Sequence, residues 1–361
     1  MDTHEDQADI RLIKQLSTAP GVSGFEDPVI DVAKKYLDKG FKITEDRLRN
    51  LFIRQTKTRK NRPVVMLDAH SDEVGFMIQS VNPNGTLKFM TLGGWSPQNL
   101  MAQPVRVQNT KGRWIKGVVA AKPNHFMSAD EMKQQVPLSD MMNDVGACSK
   151  KEVETSFHIR IGAPVAPDTP FFHDKPRGLI FGKAFDDRLG CAALLQLMKH
   201  HSRINPEIDV CGVFSSQEEL GLRGASVSVR NINPDLAIVL EGTPADDTFN
   251  SSDFIQAGMG KGPQIRHMDR SVLANPRFVR FAVDVARTCQ IPFQEAVRSS
   301  GGTNAGVITY HDRSVPTITL GIPVRYIHSH NSIASLSDFN HAVEWCREIL
   351  KSLTPEVIEG F

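Results

Sequence analysis

The chain has 361 residues, of which 40% are hydrophobic and 23% are charged, as expected for a globular protein long enough to form more than one domain. Its formal net charge is +1 and charges of both signs are spread along the sequence, which argues against a basic surface that binds nucleic acid or an anionic membrane. The polar, acidic start MDTHEDQADI does not resemble a signal peptide and no apolar run is long enough to span a bilayer, so we expect a soluble, cytoplasmic protein.

The first clear strand signal is the apolar run VVML at 64–67, which is typical of a strand covered on both faces. From about residue 71 to residue 174 the pattern changes to alternating strands joined at Asn-Gly or Lys-Gly turns, at 78–89 and 105–115. Because α/β patterns precede and follow this segment, we predict that 71–174 forms a small β-rich domain inserted into a larger domain made of 1–70 and 175–361.

After residue 174 the α/β pattern resumes. Apolar runs predict buried strands at 210–214 and 236–240, and helical patterns cover 189–200 and 275–289. The second of these helices opens with Asn275 followed by proline, which suits an N-cap and the first helical position. Strands that alternate with helices indicate an α/β fold in which helices sandwich a sheet.

Acidic and imidazole side chains fall beside these predicted elements. They are His70, Asp186, Asp187, Glu218, Glu219, Glu241 and His328. Ligand sites in open α/β sheets form beyond the carboxyl ends of the strands, so these residues are expected to converge as a divalent-metal site. The five cysteines have no CxxC spacing, which argues against a thiolate site. Taken singly, each residue is better explained as a cap, a solvated turn or a structural histidine, but such explanations do not readily account for all of them together. The residues themselves leave the metal, the number of metals and the reaction open.

The motifs AHSDEVGF, GGW, GKAFDDRLGC, SSQEELGLRGA, GGTNAG and RYIHS occur in this order. In order and spacing they resemble the TET-type glutamyl and lysyl aminopeptidases, a family that also includes proteins labelled cellulase M. The resemblance covers most of the chain, including APGVSGFED near its start. It implies a zinc-exopeptidase-like catalytic domain, with a mixed sheet sandwiched by helices, and an inserted β-rich oligomerisation domain. It also implies an aminopeptidase that acts on short peptides with a free N-terminus and assembles as a dodecamer built from dimers.

The resemblance further implies two divalent metal ions per subunit, zinc or cobalt, with manganese as an alternative. His70, Asp186 and Glu241 would hold one ion. Asp186, Glu219 and His328 would hold the other, so that Asp186 bridges the pair. Two metals about 3.5–4 Å apart can share a water and lower its pKa.

Two more residues have roles implied by the resemblance. Glu218 matches the general base, which takes a proton from the attacking water and delivers it to the leaving amine. Asp72 matches the carboxylate that orients the ligand His70.

Three positions depart from the usual pattern of the family. Glu241 stands where many relatives have Asp, Asn304 in GGTNAG replaces the more usual Asp, and His330 lies where proline is frequent. These departures leave the metal and the substrate range open. Candidates for the pocket that receives the first side chain of the substrate surround the segment GMGKGP and are Asp253, Gln256, Arg266 and Asp269.

Other functions fit parts of the pattern. An endoglucanase, as the cellulase label suggests, needs two carboxylates about 5–9 Å apart on either side of one bond, which the neighbours Glu218 and Glu219 suit poorly. A di-metal deacylase of small amides is chemically close and would cleave N-acyl substrates but not free-amine peptides. A non-catalytic, metal-bound peptide-binding assembly would be expected to lack the base, whereas Glu218 is present.

Overall fold

The computed structural model describes residues 3–37, 39–56, 61–201 and 205–361. Its strands in chain order are β1 (Phe41–Glu45), β2 (Leu51–Gln55), β3 (Val64–His70), β4 (Gly75–Val81), β5 (Leu87–Leu92), β6 (Pro104–Gln108), β7 (Trp114–Val119), β8 (Met142–Asp144), β9 (Pro164–Pro167), β10 (Phe172–Asp174), β11 (Leu179–Gly182), β12 (Asp209–Ser215), β13 (Leu236–Pro244), β14 (Gln264–Met268), β15 (Gln294–Val297), β16 (Thr317–Arg325) and β17 (Ser332–Ser335). Its α-helices are α1 (Thr3–Thr18), α2 (Asp27–Tyr36), α3 (Lys150–Glu152), α4 (Phe185–His201), α5 (Arg223–Ile232), α6 (Pro276–Thr288), α7 (Ala305–Ile308), α8 (Leu336–Ser352) and α9 (Pro355–Glu359).

An 11-stranded mixed sheet holds most of these strands, in the order β1-β2-β12-β3-β13-β16-β17-β11-β10, with β14 paired to β16 and β15 paired to β14. Four central neighbours, β12, β3, β13 and β16, run parallel to one another. In their registers Ser215 lies beside His70 and Glu241 lies beside Gly321. The carboxyl ends of these four strands therefore meet at one edge, where ligand sites of α/β sheets form.

Helices cover both faces of this sheet, which explains the continuous apolar runs of its central strands. Val65 and Leu67 of β3 pack in the main core with α1, α2, α4, α6 and α8. Met66, between them, packs on the other face with α5 and α7. Since successive side chains of a strand point to opposite faces, a strand buried on both needs apolar residues at every position.

Strands β4 to β9 form a separate closed barrel, in the order β4-β5-β8-β7-β6-β9. The antiparallel pairs β4–β5 and β6–β7 are the two hairpins that the alternating patterns predict. The barrel has its own core, which includes Phe76, Ile78, Leu87, Phe89, Val105, Val107 and Val165. Closure pairs the strand edges that an open sheet of this size would expose.

The predicted fold class is therefore confirmed: a mixed sheet sandwiched by helices, together with a small β-rich unit. The barrel strands lie within the predicted insert 71–174, and β10 at the end of that range pairs with β11 in the large sheet. The domain bounds themselves stay a prediction. Within the described residues, none of the helices combines the length and the hydropathy needed to cross a membrane.

Candidate active site

The candidate site residues meet at the carboxyl ends of the parallel strands. They come from β3 and the turn after it (His70, Asp72), the turn after β12 (Glu218, Glu219), β13 (Glu241), the start of α4 (Asp186) and the loop after β16 (His328). Glu241 lies within its strand, whereas the apolar run placed it directly after a strand. The strand is longer than the run because β13 stays paired with β16 as far as Pro244.

Two groups of ligand-type side chains share Asp186. His70 Nε2 lies 3.0 Å from Asp186 Oδ1 and 3.3 Å from Glu241 Oε1. The other oxygen of Asp186, Oδ2, lies 3.5 Å from His328 Nε2, which in turn lies 3.3 Å from Glu219 Oε1. Asp186 thus stands between two groups, each containing one imidazole and one further carboxylate.

Asp187 is an alternative member of the first group, because its carboxylate, His70 and Glu241 offer ligand atoms within 4.8 Å of one another. Its two oxygens, however, accept backbone N–H groups, from His70 at 3.0 Å and from Gly190 at 3.0 Å. Among the described residues, no backbone N–H donates to Asp186 Oδ1, the oxygen that faces His70 Nε2. We therefore assign Asp187 to bracing the end of β3 against the start of α4.

Asp72 is fully buried and lies between the His70 imidazole and the turn after β12 at 217–219, which we call the glutamate turn. Its Oδ1 lies 3.3 Å from His70 Nδ1, the ring nitrogen opposite the one that faces Asp186. The same carboxylate accepts the backbone N–H of Glu218 at 2.9 Å and of Glu219 at 3.2 Å, and the Ser23 hydroxyl at 2.6 Å. One side chain therefore faces the Nδ1 atom of His70 and holds the backbone that carries the two glutamates.

Burial and crowding of carboxylates control the electrostatics of the cluster. Burial raises the pKa of Glu218 well above its usual value, and Glu241 and Glu219 raise it further against an opposing effect of the imidazole. Burial also raises the pKa of Glu241 to about 7. Burial alone would lower the pKa of His328, but Glu219 and Asp186 raise it to about 11. The cluster is thus a buried negative centre that favours positive charge.

The donor set fits divalent metal ions. Glu219 Oε1 and Glu241 Oε2 are buried and make no hydrogen bond of good geometry with any described residue, although His328 Nε2 lies 3.3 Å from Glu219 Oε1. Buried carboxylate oxygens without donors are costly, so a cation is the partner that satisfies them. Imidazole nitrogens and carboxylate oxygens are common ligands of zinc and of other transition metals.

A cavity of about 400 Å³ opens beside the cluster and is lined by Glu218, Glu219, Glu241 and His328. Arg266 and Arg298 also line it.

Arg266, on β14, donates to Asp269 at 3.0 Å and to Thr243 at 2.9 Å. Arg298, just after β15, has Nη2 at 3.5 Å from Asp246. The Nε atoms of both arginines are buried and have no hydrogen-bond partner among the described residues. Of the pocket candidates named from the sequence, Arg266 lines the cavity and Asp269 pairs with it, whereas Asp253 is exposed in the 3-10 helix Ser252–Phe254.

Three positions depart from the family pattern. Glu241 belongs to the cluster, whereas the surroundings of Asn304 and His330 are different. Asn304 Nδ2 donates to the buried carboxylate of Asp68 at 2.6 Å. His330 is 1% exposed, and its ring lies 5.2 Å from that of Trp95 between centroids. Burial lowers the pKa of His330 to about 4, so this imidazole is a neutral packing residue.

Sequence reasoning missed a buried charge cluster that ties the site to the N-terminal segment. Lys183 Nζ lies 2.5 Å from Glu73 Oε1, and Arg188 Nη2 lies 3.4 Å from the same oxygen. Gly21 donates its backbone N–H to Glu73 at 3.0 Å and accepts from Arg188. The motifs APGVSGFED, AHSDEVGF and GKAFDDRLGC carry these residues and were the signal available.

Residues 50–345 match the M42 glutamyl aminopeptidase family. The glutamyl aminopeptidase of Lactococcus lactis subsp. cremoris is 33% identical to this chain, with 96% of this chain and 97% of that protein covered. The lysyl aminopeptidase of Pyrococcus furiosus is 32% identical, with 96% and 98% covered.

Solved structures agree with this assignment. The TET aminopeptidase of the marine sediment archaeon Thaumarchaeota archaeon SCGC AB-539-E09 superposes with a TM-score of 0.93 at 36% identity, with 98% of this chain and 99% of that chain covered. Pyrococcus horikoshii TET1, which can assemble into a tetrahedron or a large octahedral shell, superposes with a TM-score of 0.85 at 26% identity, with 96% and 100% covered. The chain therefore belongs to the M42 glutamyl aminopeptidase family and is an aminopeptidase, a hydrolase that acts on peptide bonds.

Proposed function

We propose that this aminopeptidase removes the N-terminal residue of short peptides, with Glu218 as the general base. The observation that carries the proposal is the pair of imidazole–carboxylate groups that share Asp186 and stand beside Glu218 at the cavity. Peptidases of this family are metal-dependent, which agrees with a cluster of buried acids and imidazoles.

His70, Asp186 and Glu241 would hold one divalent ion, and Asp186, Glu219 and His328 a second. Zinc or cobalt suits these ligands, with manganese as an alternative. Bound there, the ions would acidify a water and polarise the carbonyl of the scissile bond.

The side chains of the protein supply the proton transfers and the orientation. Glu218 lines the cavity beside His70 and Glu219, where its carboxylate is placed to take a proton from the attacking water and to return it to the leaving amine. Asp72 holds His70 so that Nε2 faces Asp186 and Glu241. The free α-ammonium of the substrate is attracted to this negative centre, which supports the removal of N-terminal residues rather than internal cleavage.

The same cavity supports a preference for acidic N-terminal residues. Relatives of similar identity are named glutamyl and lysyl aminopeptidases, so their names leave the sign of the preferred charge open. Arg266, which pairs with Asp269, and Arg298, which lies near Asp246, both line the cavity. Guanidinium groups bind carboxylates with well-matched geometry, so a glutamyl or aspartyl side chain suits this wall better than a lysyl side chain.

We also propose that the chain self-associates, as a dodecamer built from dimers, through the β-rich domain at 71–174. A solved form of PhTET1 is a dodecamer. In this chain, Phe126 of the same segment is 74% exposed and Ile161 is 72% exposed, and apolar side chains of this size favour an interface. The net charge of +1 supports peptide substrates over nucleic acid. A cytoplasmic location stays an expectation from the sequence.

The proposal is tested with aminoacyl p-nitroanilides after chelation and after addition of zinc, cobalt or manganese. We expect chelation to abolish hydrolysis and one of these metals to restore it. Glu218→Gln should lower kcat by about 10²–10⁴-fold because the proton acceptor is lost. Glu295→Gln, the same change at an exposed glutamate outside the cavity, is the control and should keep the kcat of the parent.

Each failure has its own meaning. If none of the metals restores hydrolysis of a free-amine substrate while N-acyl substrates are cleaved, the deacylase alternative replaces the proposal. If Glu218→Gln is as fast as the parent protein, the base is another group.

A further inference from the structure

Three consecutive backbone N–H groups of the glutamate turn donate to two buried carboxylates. The N–H of Glu218 and that of Glu219 donate to Asp72, at 2.9 and 3.2 Å. The N–H of Gln217 donates to Glu26 Oε1 at 3.1 Å. The family resemblance assigns a role to Asp72, but it assigns none to Glu26.

Gln217 has a backbone conformation that needs such support. Its φ is +52°, in the left-handed region that L-residues other than glycine rarely adopt. This conformation costs roughly 1–2 kcal/mol and persists where surrounding contacts hold it. Because Gln217 directly precedes Glu218, the orientation of the peptide between them sets the direction in which the Glu218 side chain leaves the backbone.

Glu26 is placed to hold this conformation from outside the lining of the cavity. Its side chain is 1% exposed, and its Oε1 also accepts the backbone N–H of Gly24 at 2.8 Å. Ser23, in the same segment, donates to Asp72 at 2.6 Å. One short segment therefore carries one of the two carboxylates that fix the turn and contacts the other. Glu26 is absent from the lining of the cavity.

The segment that carries Glu26 is itself fixed by buried contacts. Arg188 donates to Gly21 O and to Ala19 O, each at 3.0 Å, and Arg188 is fully buried. The family resemblance includes this segment as APGVSGFED, but it assigns no role to Glu26. A rigid support on one side and a strained turn on the other are what a positioning contact requires.

We propose that Glu26 is a positioning residue for Glu218: by accepting the N–H of Gln217, it holds the turn in the conformation that directs the Glu218 carboxylate to the cluster. The inference rests on the role of Glu218 as general base. It predicts that kcat depends on how far the side chain at position 26 extends its acceptor oxygen from the backbone. It also predicts that kcat does not depend on the charge of that side chain.

The test compares Glu26→Gln with Glu26→Asp. Glutamine keeps an acceptor oxygen at the same reach without the charge, whereas aspartate keeps the charge and withdraws the oxygen by one methylene. We expect Glu26→Gln to keep kcat within about 3-fold and Glu26→Asp to lose about 10-fold or more, since small misplacements of a reacting group can cost ~10²-fold. KM and bound metal, measured by elemental analysis, should stay near the parent values in both variants because neither the cavity wall nor the ligands change.

Asn275→Ala is the matched control. Asn275 also accepts two backbone N–H groups, from Arg277 and Phe278 at the start of α6, and it does not line the cavity. This variant should lower the thermal midpoint and keep kcat. If Glu26 had a purely structural role, Glu26→Asp would likewise lower the thermal midpoint and keep the kcat of the parent. That result would overturn the inference. An equal loss of kcat in Glu26→Gln and Glu26→Asp would overturn it as well.

Glu218→Gln, assayed alongside, separates the two proposals. A slow Glu218→Gln with a fast Glu26→Asp would overturn the positioning role alone. A fast Glu218→Gln would overturn the base and, with it, the reason for the positioning.

Discussion

Asn304 shows how far the surroundings of a single residue can differ from its interpretation in sequence. In the sequence, Asn304 stands where the family more usually has Asp, which indicates the loss of one acid near the metal ligands. In the structure its amide donates to Asp68, which is fully buried and also accepts the hydroxyl of Ser215. Burial raises the pKa of Asp68 to about 6, and the two donors offset part of that effect. An aspartate at 304 would therefore meet a second buried carboxylate.

Asn304→Asp is expected to lower the free energy of unfolding by about 2–3 kcal/mol, because it replaces a buried donor by a like-charged acceptor. A carboxyl pair of this kind raises the folded-state pKa of one member above its unfolded value, so the loss should be largest at high pH and shrink as the pH is lowered. Denaturant unfolding at several pH values measures this.

Asn231→Asp is the control for this prediction. Asn231 donates to Asp46 at 3.3 Å but is exposed, so the same change beside a carboxylate should cost less than about 0.5 kcal/mol. Equal losses in the two variants would show that burial of Asp68 does not decide the outcome.

Residues of the site could be predicted where they follow a strong strand signal and not where they act through loop backbone. His70 and Glu219 stand directly or soon after apolar runs, and the parallel order of β3 and β12 brings them together. Glu26 could not be assigned a contact in the same way. Its partner Gln217 is 191 positions away, and the contact depends on the direction of one peptide group, which apolar periodicity does not encode.

At the scale of elements, strands with apolar cores were predictable and short polar strands were not. The runs at 64–67, 210–214 and 236–240 all lie in observed strands, β3, β12 and β13. β14, QIRHM, and β15, QEAV, lack an apolar run or a regular alternation, so no strand was predicted there. These two strands pair in parallel, and they bring Arg266 and Arg298 to the same cavity.

Because β14 and β15 bring Arg266 and Arg298 to the cavity, Arg298→Gln is expected to lower kcat/KM for glutamyl p-nitroanilide by about 10-fold, as for loss of one charged hydrogen-bond partner. The value for glutaminyl p-nitroanilide, which has the same shape without the charge, should change little. Arg277→Gln on α6, whose side chain lies outside the cavity lining, is the control. If the parent protein cleaves the lysyl substrate faster than the glutamyl one, the acidic preference is wrong.

At the scale of the whole molecule, the exposed apolar side chains of the barrel segment are distinct from the residues of the metal-type cluster. The barrel has its own core, and its segment exposes Phe126 at 74% and Met132 at 55%. The metal-type residues instead come from the large sheet and the loops around it, and residues of a single chain are sufficient to form both imidazole–carboxylate groups. Large exposed apolar side chains are typical of surfaces that bind another protein. Disrupting the assembly should therefore leave the chemistry of the cluster in place.

We expect the parent protein to have a native mass twelve times that of the chain, as measured by native mass spectrometry or light scattering. Phe126→Ser combined with Met132→Ser should reduce this mass towards that of the dimer, because burial of these side chains contributes roughly 1.5–3 kcal/mol each and acts at every copy of the interface. Tyr310→Ser, which changes a side chain that is 69% exposed outside the barrel, should keep the parent mass.

Hydrolysis of small p-nitroanilides should persist in the smaller species, since residues of a single chain are sufficient to form the cluster. A parent protein that is strictly monomeric would contradict the assembly, and a double variant with unchanged mass would remove the barrel segment from its interface.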